Sequence, residues 1–125
     1  MPNSRDKGAA FERKICSMIK HNLGYDVKRN LDQYQIGGSD VEIPGWSIEC
    51  KAYKSGTIYK KSWWEQCVAN SKGKEPVLIY KFNNHPIKCV IRINSLTRNF
   101  STVEDLLCEI DFETWCYIVR EKNEC

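Results

Sequence analysis

The chain has 125 residues, 42% of them hydrophobic and 28% charged, with a formal net charge of +3. That is the size and make-up of one globular domain whose core needs no disulfide or metal staple. No apolar run is long enough to span a bilayer, and the polar N-terminus lacks a signal-peptide core. The expectation is a cytoplasmic protein with no membrane partner, in the host cytoplasm if the source is viral.

Seven cysteines form no Cys-x-x-Cys pair, and only His21 and His85 add soft ligands, which argues against structural zinc and a secreted disulfide framework. Free thiols buried as small hydrophobes are expected for most of them. Basic residues crowd the first two-thirds of the chain, whereas acids cluster after Glu104. This asymmetry points to a phosphate-facing basic surface and a separate, more acidic segment.

A first helix is expected from about Lys7 to Leu23. Phe11, Ile15, Met18, Ile19 and Leu23 recur at helical spacing, and Gly24 supplies the stop. Glu12 stands at the edge of that apolar stripe, with Arg13 one step further round. Tyr25 to Arg29 reads as a strand, and Asn30 to Gly38 as a polar, flexible loop.

Ser39 to Ile43 and Trp46 to Ala52 flank a Pro44-Gly45 turn signal, the pattern of a β-hairpin. With Pro44 and Gly45 as the loop, Ile43 faces Trp46, Val41 faces Ile48, and Asp40 lies opposite Glu49. Lys51 then shares the face of Glu49, while Val41, Ile43, Trp46, Ile48 and Cys50 form an apolar face. Because Pro-Gly suits unprimed turns, a longer loop is also open, and a three-residue loop with a bulge breaks this parity. Opposed carboxylates destabilise a strand pair, so Asp40 against Glu49 calls for compensation, and a hard divalent cation supplies it.

Tyr53 to Lys61 reads as a loop bearing lysine and tyrosine. Ser62-Trp-Trp-Glu65 has capping-box spacing and opens a helix to about Lys72, with Gly73 as its stop and Gln66 on its first turn. Trp63 and Trp64 are expected in the monomer core. Val77 to Phe82 and Lys88 to Ile93 form a second hairpin across Asn83-Asn-His-Pro86. Ser101-Thr-Val-Glu104 offers a further capping box for a helix to about Glu109, and Asp111 caps another through Phe112, Trp115, Cys116 and Val119. The alternation from Trp115 to Val119 also admits a strand; helix is the reading taken.

This order of elements gives an α/β architecture, a mixed sheet flanked by helices. Lys7-Gly8-Ala-Ala-Phe-Glu12-Arg13, Gly38-Ser-Asp40-Val41, Ile48-Glu49-Cys50-Lys51 and Trp64-Glu-Gln66 together resemble the PD-(D/E)xK nuclease superfamily. Within it they are most similar to the small Holliday-junction resolvases of archaea and their phage and viral relatives. Asp-x8-Glu-x-Lys alone is a weak pattern; the hairpin, the preceding helix and the Gln-bearing helix give it context. Ser39 stands where the superfamily has proline, and Glu42 is an extra carboxylate on the face of Asp40, read as a solvated edge charge.

The resemblance covers about residues 5–93 and implies a single nuclease domain over 1–125 with a restriction-endonuclease-like core and a C-terminal helical extension from 94. It implies a site in which Glu12, Asp40 and Glu49 hold Mg²⁺, with Mn²⁺ able to substitute, Lys51 assists the nucleophilic water and Gln66 supports the site. Lys7, Arg13, Arg29, Lys54, Lys60 and Lys61 are candidate DNA-backbone contacts. The activity implied is an endodeoxyribonuclease of recombination and repair that cuts four-way or branched DNA, leaving a 5′-phosphate and a 3′-hydroxyl. Two symmetric cuts imply a homodimer. A nuclease of the same fold acting in restriction, repair or DNA degradation is the alternative. A non-catalytic nucleic-acid-binding module is disfavoured, because a binder has no use for Glu12, Asp40 and Glu49 facing phosphate without metal.

Overall fold

The computed structural model describes residues 4–31, 38–97 and 106–123. Helix α1 (Ser4–Leu23) is followed by strands β1 (Val41–Ile43) and β2 (Trp46–Tyr53), helix α2 (Lys61–Ala69), and strands β3 (Glu75–Phe82) and β4 (Lys88–Arg92). A 3-10 turn (Ile93–Ser95), strand β5 (Leu107–Asp111) and helix α3 (Phe112–Asn123) complete the order.

Among the described residues the five strands lie in chain order, and only β2 and β3 run parallel. A parallel pair cannot be joined by a tight turn, so α2 makes the crossover. Alternation along the strands sorts the core into two layers. On one face Val41, Ile43, Trp46, Ile48, Val77, Ile79, Cys89 and Ile91 pack with Phe11, Ile15 and Ile19 of α1 and with Phe112, Trp115 and Val119 of α3. On the other, Leu78, Tyr80, Phe82 and Val90 meet Trp63, Trp64 and Cys67 of α2. Trp46 and Trp115 join sheet to helix edge to face at 5.8 Å, a geometry that adds about 0.5–1.5 kcal/mol to their area burial.

The hairpin takes the two-residue loop. Ile43 pairs with Trp46 and Val41 with Ile48, and Gly45 has φ +84°, the left-handed value that glycine accepts after proline. The turn is pinned from outside: Glu75 donates its N–H to the Gly45 carbonyl at 3.0 Å, and Asn123 its side-chain amide to that of Pro44 at 3.3 Å. These contacts hold a turn type that free hairpins disfavour, and with it the parity of every residue on β2.

α1 ends as its glycine demands, with Gly24 at φ +80° donating its N–H to the Lys20 carbonyl. Four expectations are corrected. Residues 25–29 form no strand: Tyr25 and Val27 pack against the core, but no described strand lies alongside to complete a ladder. Ser62 is not a cap, because α2 opens two residues earlier at Lys60, whose carbonyl accepts the Trp63 N–H at 3.0 Å. The same helix stops at Ala69 rather than Lys72, since Lys72 and Gly73 both adopt positive φ. Residues 107–109, expected in a helix, are instead the start of β5, where β4's open edge supplies backbone partners that helix propensity cannot outbid.

The expected cap at Asp111 is present: its carboxylate accepts the Thr114 N–H at 2.8 Å, and the Thr114 contacts hold it below the usual carboxylate range. Most of the polar loop expected over 30–38, and the capping box at Ser101, lie outside the described residues. The six described cysteines are free thiols, four of them buried. Among the described residues no helix is long and apolar enough to cross a membrane.

Candidate active site

Strand β2 lies between two neighbours and beneath helices, so its first five residues are buried, while Lys51 and Ala52 are half-buried and Tyr53 is exposed. Its apolar side chains Trp46, Ile48 and Cys50 face α1, as alternation requires. Glu49 therefore faces the opposite way, and it is 3% exposed. Asp40 precedes the first residue of β1, and one further step of the hairpin register sets it against Glu49. Its backbone carbonyl accepts the Asn30 N–H at 2.8 Å, and its carboxylate accepts the Cys50 N–H at 2.8 Å. That bond fixes one Asp40 oxygen across the hairpin.

The Asp40 and Glu49 carboxyls touch, and Glu49 titrates at about 8. Burial is the largest cause, the charge of Asp40 the next, and the hydrogen bond between the two the third, while Asn70 and Lys51 pull weakly the other way. Glu49 therefore holds its proton more tightly than an isolated carboxyl does.

Helix α2 serves this face of β2 with two side chains one helical turn apart. Gln66 accepts from the Lys51 ammonium at 2.9 Å, and Asn70 donates to Glu49 Oε2 at 3.3 Å. Asn70 was not singled out as a site residue in the sequence. The signal available was its spacing: Gln66 and Asn70 are i,i+4 on the helix, as Glu49 and Lys51 are i,i+2 on the strand. Glu42, on the exposed side of β1, pairs with Lys74 at 3.7 Å and accepts from Ser39 at 3.3 Å. It sits as an edge charge.

Glu12 comes from α1. It is 8% exposed, and Arg29 donates Nε to its Oε1 at 3.2 Å. Its carboxyl is raised above the ordinary range, first by burial, then by Asp40, with Arg29 and Arg13 opposing. The buried Cys50 thiol is pushed up by burial and then by Asp40, Glu12 and Glu49 in turn, so all three acids lie within electrostatic reach of one residue. Among the described residues, however, no three histidine, cysteine, aspartate or glutamate side chains are gathered in a set that holds a metal. Two carboxyls meet; the third is turned to Arg29.

That donor set fits a hard divalent cation. Two buried carboxyls in contact gain by exchanging a proton for a doubly charged ion, and Mg²⁺ commonly takes one or two protein carboxylates and completes its shell with water and phosphate. Of the expected DNA contacts, Lys54, Lys60 and Lys61 are exposed, Lys7 donates to the Asn83 side chain, and Arg13 and Arg29 line one cavity beside α1.

Residues 3–121 match the family described as "Phage putative PDDEXK endonuclease". The chain belongs to this endonuclease family. Its fold is also that of a solved relative at low identity: the Hjc Holliday junction resolvase of Archaeoglobus fulgidus, from an archaeal hyperthermophile, is similar at 16% identity with a TM-score of 0.54. The likeness covers 90% of this chain and 98% of that one. The five-stranded mixed sheet is thus the restriction-endonuclease-like core expected of a PD-(D/E)xK nuclease. No curated protein matches the sequence.

Proposed function

We propose that this endonuclease is a divalent-cation-dependent DNA hydrolase selective for four-way or branched DNA, with Mg²⁺ as its natural ion. The observation that carries the reading is the buried Asp40–Glu49 carboxyl pair, flanked by the Lys51–Gln66 bond, in a chain of this family. Selectivity for branched DNA is supported by the fold shared with an archaeal Holliday junction resolvase.

Asp40 and Glu49 would hold the cation, which would supply Lewis-acid polarisation of the scissile phosphate and of the attacking water. The chain's own residues do the rest. Asn70 fixes the Glu49 carboxylate, and the Cys50 N–H fixes that of Asp40. Lys51, oriented by Gln66, positions the water and offsets charge developing on the phosphate. Water adds to phosphorus as the bond to the 3′-oxygen breaks, leaving a 5′-phosphate and a 3′-hydroxyl. Arg13, Lys54, Lys60 and Lys61 contact the DNA backbone without reading sequence. Paired cuts across a junction need two sites related by a two-fold axis, so the working form is a homodimer. Trp63, Trp64 and Trp115 are buried in the monomer core.

Incubation with a synthetic four-way junction and with a matched linear duplex, in Mg²⁺ and in EDTA, tests this reading. Cutting of the junction in Mg²⁺ alone is expected. Equal cutting of both substrates retires the branch selectivity, and binding without cutting under Mg²⁺ or Mn²⁺ retires the enzyme.

A further inference from the structure

Beside the carboxylates lies a cavity of about 310 Å³, bounded by α1 and the segment that follows it. Among the described residues its lining is Arg13, Cys16, Val27, Lys28, Arg29 and Leu31: three basic side chains, three apolar or weakly polar ones and no acid, with most of the open surface apolar. Such a lining suits an anion attached to something less polar. Arg29 is at once a wall of this cavity and the partner of Glu12. While that bond stands, the guanidinium charge is spent on a carboxylate and a carboxylate oxygen is withheld from any cation.

We infer that the cavity seats a DNA-backbone phosphate next to the scissile one, and that Arg29 changes partner there, leaving Glu12 for the phosphate and freeing Glu12 to join Asp40 and Glu49. The inference rests on the nuclease reading and deepens it. The Glu12 contact runs from Nε to a single oxygen at 3.2 Å, whereas a phosphate offers the planar guanidinium a two-point match. Arg13, adjacent to Glu12 in sequence and on the same cavity wall, adds a second cation for the incoming anion. Glu12, once released, stands near Asp40 with its charge unanswered, which favours cation entry only after DNA has arrived. Arg29 is then a positioning residue. It delays assembly of the full ligand set until substrate is seated, and by linkage the cation must tighten DNA binding as much as DNA tightens cation binding.

The test is calorimetric titration of Ca²⁺ into the full chain, alone and bound to a four-way junction, for wild type, Arg29→Met, Glu12→Gln and the double variant. Junction cleavage in Mg²⁺ by wild type is scored in parallel. Wild type is expected to bind Ca²⁺ at least about tenfold more tightly with DNA than without. Arg29→Met is expected to bind Ca²⁺ several-fold more tightly than wild type in the absence of DNA, to gain less from adding it, and to bind DNA more weakly. In the Glu12→Gln background the same substitution should leave Ca²⁺ affinity unchanged, which separates a bond to Glu12 from general charge repulsion. An unchanged DNA-free affinity in Arg29→Met, or an equal rise with and without Glu12, overturns the exchange. If wild type still cuts junctions in that case, the nuclease reading stands and only the exchange fails. Absence of both cutting and Ca²⁺ binding removes both. Should Arg29→Met fail to fold, Arg29→Gln carries the same comparison.

Discussion

Two acidic clusters stand on one sheet and differ in what answers their charge. Toward the β5 edge, Glu109 receives the Tyr80 hydroxyl at 2.5 Å on one oxygen and the Lys88 ammonium at 3.3 Å on the other. Toward the β1 edge, Glu49 is more deeply buried, faces another carboxyl, and receives an Asn70 amide at 3.3 Å, while Lys51 bonds to Gln66 instead. An acid with both oxygens answered holds a fold together. An acid buried against another acid costs stability, and such strain is concentrated at functional sites.

The comparison breaks if both clusters respond alike to neutralisation. Glu49→Gln and Asp40→Asn are each expected to lower junction cleavage by at least about a hundredfold while DNA binding, followed by gel shift, is kept or tightened. Glu109→Gln should leave cleavage within about threefold and instead lower stability by about 1–2 kcal/mol, read from urea denaturation. A large loss of activity at Glu109 erases the distinction.

Asn70→Ala comes next in size. As the side chain that orients a ligand rather than a ligand itself, it should cost about tenfold in cleavage or cation affinity, with the fold retained by circular dichroism. No effect means that Asn70 is a bystander on α2.

Acidity sharpens the contrast without mutation. Glu49 titrates at about 8 in the cation-free fold, above its unfolded value, so the folded state holds the extra proton. Its contribution is fully present below the unfolded carboxylate range and is lost as pH rises through about 8. Melting temperature in EDTA should therefore decline across that window in wild type, decline less in Glu49→Gln, and recover when Mg²⁺ is added. A wild-type decline that Glu49→Gln leaves intact assigns the effect elsewhere.

The smallest effects concern side chains that are answered. Glu42→Gln removes an exposed ion pair with Lys74 and should change cleavage by less than about twofold. Damage equal to that of Asp40→Asn makes Glu42 the ligand.

The hairpin was legible because Pro44-Gly45 and the alternation from Val41 to Cys50 agree: one fixes the register, the other says which face is core. α1 and the second hairpin were legible for the same reason, local signals concordant with burial. The segment from Tyr25 to Arg29 was misread because alternation marks a face that packs, not a neighbour to pair with. β5 was misread because its partner, β4, lies elsewhere in the chain, and a Ser-x-x-Glu spacing carries no information about a distant open edge. In the site, Asp40, Glu49 and Lys51 could be set on one face by parity, whereas Gln66 entered only through the family resemblance. The Arg29–Glu12 bond could not, since it joins a helix to an irregular segment whose course no periodicity fixes.

The central claim is that the Asp40–Glu49 pair exchanges its proton for a divalent cation. Calorimetric titration of Mg²⁺ at pH 7 in buffers of different ionisation enthalpy reads both events at once. The account predicts binding accompanied by release of about one proton in wild type, with the release lost in Glu49→Gln. Binding without proton release, or release that persists in Glu49→Gln, contradicts it.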